Sequence, residues 1–230
     1  MINILINPVI REQPNIGSSW MIVLFAVCLL AIMSVRVVYP RRIGLLFKTF
    51  INFRSLKQQI RDENIFDRLP SLLTLLLFFI SSALFLYEVD VYFKLHVFYD
   101  LMGLSLLMMY LLSVFIIYFI RLIIVEILKH VFIPFATIES YFYTTLQFNK
   151  VLGIFLLVIC FVIAFVHKTY VLPILWLGFI ISVSCYIFRI IRGFQIGFQN
   201  SISFSYLFLY LCGLEIAPAL LIAKLLIAKL

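Results

Sequence analysis

The chain has 230 residues, 65% of them hydrophobic and only 12% charged, with a net charge of +8. A soluble domain is about half apolar and a quarter charged, so this composition excludes a water-soluble fold and, with it, a soluble basic surface for nucleic acid. Runs of roughly 20 apolar residues without polar alternation point to transmembrane helices rather than a membrane β-barrel.

The first apolar run is 17–35. A cleavable signal peptide carries its charge ahead of the apolar run. Here Arg36, Arg41 and Arg42 follow it, so it reads as a retained helix. In "PRRIGLLFKTFINFRSLKQQI", residues 40–60, Ile43, Leu46, Phe47, Phe50, Phe53 and Leu56 share one broad face between basic residues. That pattern predicts an amphipathic helix on the inner leaflet.

The second span is predicted over 69–89, with Pro70 in its first turn, where a missing N–H costs nothing. A short outer loop over 90–97 follows. The third span is predicted over 98–122, opened by Asp100, whose carboxylate suits the helix dipole. In "FIRLIIVEILKH" Arg121 and Glu126 are the charged residues. Arg121 reads either as an anchor that snorkels to the headgroups or as a partner in ion pairing. Residues 133–149, rich in Tyr and Phe, read as a headgroup-level anchor.

The fourth span is predicted over 150–166, the fifth over 170–191 with Pro173 at its start, and the sixth over 202–224. The predicted fold is all-α: a single integral membrane domain over 1–230, with about six transmembrane helices and amphipathic helices on the cytoplasmic side. Eight Lys and Arg lie in 36–68, three in 121–150 and two in 189–201, so thirteen of the eighteen fall on one side of this topology. The positive-inside rule then puts that side in the cytoplasm and both termini outside.

Glu215 is the conspicuous intramembrane acid, about thirteen residues into the sixth span and thus roughly 20 Å deep. An ionised acid there costs several kcal/mol unless paired, hydrated or protonated. Pro218 breaks the helix just after it and frees the carbonyl of Leu214. Three roles stay open for Glu215: a hydrogen-bonded strut between helices, a contact with a neighbouring protein, or a proton site. Arg189, Arg192, Gln195 and Asn200, around a bend allowed by Gly193 and Gly197, are predicted to form a cytoplasmic polar pocket for an anion or a partner's carboxylate. The alternative there is positive-inside charge plus a turn.

Cys28, Cys160, Cys185 and Cys212 all lie in apolar runs and form no C-x-x-C pair, so they read as small buried hydrophobes. His96, His130 and His167 lie near helix ends, a poor arrangement for haem. No Walker loop, H-E-x-x-H or G-x-S-x-G occurs. No catalytic residue, cofactor or metal is therefore expected.

The pattern "FR…RGF…FSYLFLYLCGLEIAPALLIAK" resembles the C-terminal hallmark of an inner-membrane family of Bacteroidota with no assigned function. The matching positions are Arg189, Arg192, Glu215 and Pro218. Relatives often have Thr after the Cys, where this chain has Gly213. The resemblance implies the bacterial cytoplasmic membrane and implies no activity.

With short outer loops and no catalytic constellation, the expected function is a non-enzymatic accessory or scaffold subunit of an inner-membrane assembly, in envelope biogenesis or secretion. Its partners would be the lipid bilayer and other membrane proteins. The alternatives are a proton-coupled transporter or channel component using Glu215, and a lipid-modifying enzyme with its polar site near Arg189 and Arg192.

Overall fold

A computed structural model describes residues 19–38, 68–95, 97, 103–131 and 135–199. Those residues form five α-helices: α1 (Ser19–Val38), α2 (Arg68–Phe93), α3 (Leu104–Val131), α4 (Phe135–Phe165) and α5 (Lys168–Gln199). Each is long and apolar enough to cross a bilayer, and the shortest, at 20 residues, is about 30 Å long. The protein is a multi-pass helical membrane bundle. The predicted interfacial helix at 40–60 and the sixth span at 202–224 lie outside the described residues.

Helix ends follow local chemistry. α2 continues beyond the predicted 89 to Phe93 and stops at Lys94, which adopts a left-handed φ of 51°. The Leu95 N–H then reaches back to the Asp90 carbonyl at 3.3 Å. This is a Schellman-type cap, built on lysine where glycine is the usual choice. α3 begins just after Gly103, whose φ is +63°. Only residues 166 and 167 separate α4 from α5. Pro173 lies inside α5, in its second turn, and cannot donate to the carbonyl of Thr169 four residues back.

Two predicted breaks are absent. The aromatic stretch 133–149 was expected at the interface, apart from the span at 150–166. From Phe135 onward it is the first half of one 31-residue helix. No glycine or proline interrupts the chain between Phe135 and Leu152, so nothing stops the helix propagating. The bend expected at Gly193–Gly197 is also absent, because α5 stays helical to Gln199. Both glycines are buried, and they supply small volume on a packed face.

α2 and α4 form the centre and share the most extensive interface. α5 packs on α4, α3 on α2, and α1 more lightly on α2. The buried stripes have helical spacing: Met21, Phe25, Cys28 and Val35 on α1; Val171, Leu175 and Cys185 on α5. The opposite faces of α1, α3 and α5 expose Leu30, Phe115, Phe119, Trp176 and Phe179, as lipid-facing surfaces should.

Lipid is as apolar as leucine, so close packing, rather than apolar burial, holds such helices together. At Gly153 the α4 backbone meets the α2 backbone: a Cβ there would lie 2.6 Å from the Phe78 Cα. Gly178 of α5 leaves room for the Phe85 ring, which would lie 2.6 Å from an added Cβ. Several serine hydroxyls bond within their own helix, as Ser82 does to the Phe78 carbonyl at 2.7 Å and Ser182 to the Gly178 carbonyl at 2.8 Å.

Candidate functional site

Polar side chains enter the bundle at two levels. The first lies toward the end where α2 begins, and α4 organises it. Thr144, Thr145, Asn149 and Lys150 are all at least 95% buried. Positions 145 and 149 are one turn apart and share a face. Three cations from three helices reach this level. Lys150 Nζ of α4 donates to Ser71 Oγ of α2 at 2.7 Å. Arg189 Nη1 of α5 donates to Asn149 Oδ1 at 3.3 Å, and its guanidinium lies 4.9 Å from the centre of the Tyr186 ring. Arg121 Nη2 of α3 approaches Thr145 Oγ1 at 3.4 Å. Each of these bonds crosses between helices. Such ties are worth roughly 0.6–2 kcal/mol apiece inside a membrane.

The second level lies near the opposite end, beside Trp20. Glu88 of α2 is 0% exposed and Asp90 is 5% exposed. Neither carboxylate oxygen of Glu88 has a hydrogen-bond partner. The Cys160 thiol of α4, a weak donor, lies against it, and the same Sγ is 3.9 Å from the Ser81 carbonyl oxygen. Asp90 faces α3, where Tyr110 is its neighbour. Two residues along a helix are about 200° apart around the axis, so the two acids look out from opposite sides of α2.

The residues singled out from sequence are placed as follows. Arg121 turns into the bundle toward Thr145, while Glu126 is exposed. Arg189 bonds to Asn149 of α4. Arg192 reaches Gln195 Oε1 at 3.5 Å along its own helix, and Gln195 is exposed. Asn200, Glu215 and Pro218 lie outside the described residues. His167 is exposed, 3.2 Å from Thr169 Oγ1.

Sequence reasoning overlooked Glu88 and Asp90. The signal was "LYEVDVYF", in which apolar residues resume after each acid, so the helix need not end there. It also overlooked "TTLQFNK", where Thr144, Thr145, Asn149 and Lys150 put polar groups on adjoining faces of a helix.

The sequence profile described as domain of unknown function, DUF4271, matches residues 21–226. The chain belongs to the DUF4271 family. The match runs from the first turn of α1 through all of α5, so both polar levels lie within the DUF4271 domain. No curated protein and no solved structure matches the chain.

Proposed function

We propose that this DUF4271 protein is a rigid, non-enzymatic scaffold: an accessory subunit of an assembly in the bacterial cytoplasmic membrane, in envelope biogenesis or secretion. One observation carries the reading. The cations toward one end hold partners on other helices, Lys150 to Ser71 and Arg189 to Asn149, with Arg121 turned to Thr145. Polar groups used this way lock helices together instead of lining a passage, and the close contact at Gly153 supports the same view.

The end carrying Arg36, Lys150, Arg189 and Arg192 is read as cytoplasmic under the positive-inside rule, with the amino terminus outside. The resemblance of the C-terminal segment supports an origin in Bacteroidota. The accessory role predicts stoichiometric partners after purification from native membranes in mild detergent. Photo-crosslinkers placed at exposed Phe119 and Phe179 should capture those same partners. A monomer with no crosslinked partner and a measurable transport activity would overturn the reading.

A further inference from the structure

Glu88 differs from Lys150 and Arg189, because its one contact on another helix is a thiol, that of Cys160, a weak donor. It is wholly buried, and neither oxygen has a partner. Along the axis it lies five positions, about 7.5 Å, from the end of α2 at Phe93. That end carries the negative pole of the helix, which is the wrong one for a carboxylate.

The titratable groups around it are few. Cys160 faces it from α4, Tyr110 faces its neighbour Asp90 from α3, and Tyr87 and Asp90 share its helix. At this end α1 brings Trp20, and α5 brings Tyr170, which is exposed like His167 before it. No described basic side chain pairs with Glu88.

A strut would spend its oxygens on neighbouring helices, as Lys150 and Arg189 spend their donors. A hard metal cation needs about six oxygen ligands. Glu88 offers two, its neighbour is a thiol, and Asp90 points to the far side of α2. A proton needs a single acceptor oxygen. We propose that Glu88 is a proton-exchange site. Its carboxylate takes up one proton to become the neutral acid and returns it to water at the Trp20 end of the bundle. An intramembrane acid with no basic partner, held by a weak thiol contact alone, is the kind of group that marks proton sites. This inference does not depend on the scaffold reading.

The test is infrared difference spectroscopy of the full-length protein in lipid nanodiscs between acid and alkaline buffer. A protonated-carboxyl band that titrates and shifts in D2O is expected. It should vanish in Glu88→Gln and persist in Asp90→Asn. Glu88→Asp should keep a band at a changed frequency, which decides the matter if Glu88→Gln does not fold. Cys160→Ser, which brings a stronger donor beside the carboxyl, should shift the band. A band unaltered by changes at residue 88, or no titrating carboxyl band at all, would overturn the proposal.

Discussion

The contact at Gly153 supports a prediction with a definite sign. At an ordinary helix position, replacing glycine by alanine stabilises by roughly 0.5–1 kcal/mol. At Gly153 the added Cβ would lie 2.6 Å from the Phe78 Cα, 2.9 Å from its Cβ and 3.0 Å from its N. Carbon atoms rest about 3.5–4.0 Å apart, so α2 and α4 must separate by roughly 1 Å. The obstacle is backbone, which cannot rotate away. Overpacking of this kind costs about 1–3 kcal/mol, more than the gain in helix propensity. The net loss is therefore on the order of 1–2 kcal/mol, or a Tm lower by roughly 2–8 °C for a chain of this size. Gly153→Val should be worse, since it adds two further carbons at the same contact. Fluorescence of Trp20 and Trp176 during thermal unfolding in detergent would report the shift. A Gly153→Ala protein as stable as the natural one, or more so, would refute the close approach of the two central helices.

Three further outcomes follow from named contacts. Gly178→Ala should destabilise by driving a Cβ into the Phe85 ring, and Phe85→Leu in the same chain should restore part of the loss in the same assay. A double-mutant cycle with Lys150→Met and Ser71→Ala should give a coupling energy of about 1 kcal/mol, and additive effects would show that the 2.7 Å bond does not tie α2 to α4. Lys94→Gly should raise the Tm, because a left-handed residue other than glycine costs about 1–2 kcal/mol, and an unchanged Tm would deny the cap at the end of α2.

Much of the bundle was legible in the sequence, because a helix in lipid must be long, apolar and self-satisfied in its backbone. The runs starting near Gly17, Leu69 and Tyr170 correspond to α1, α2 and α5. Helix ends were harder to read. Glu88 and Asp90 look like a membrane boundary, since acids usually avoid the interior, yet Val91, Tyr92 and Phe93 carry α2 onward. Thr144 to Lys150 look like a loop margin for the same reason, although α4 passes straight through them. The pairing of Arg189 with Asn149 could not be read, because it depends on how α5 is rotated against α4. The described polar ties join residues far apart in the chain, such as Lys150 to Ser71, and spacing along one segment does not show such pairs.

The acids and the cross-helix ties fall on α2 and α4 for a physical reason. A polar side chain in a bilayer must be shielded from lipid, and a peripheral helix can shield only its inward face. Glu88 and Asp90 leave α2 about 200° apart, so no orientation of α2 at the edge of a bundle could hide both. Thr144, Thr145, Asn149 and Lys150 likewise occupy adjoining faces of α4, all buried. A span with polar residues on opposing faces must have protein on both sides. By that rule "LYEVDVYF" and "TTLQFNK" mark the two central helices of the bundle, while α1 and α3, whose exposed faces carry Leu30, Phe115 and Phe119, belong at its edge.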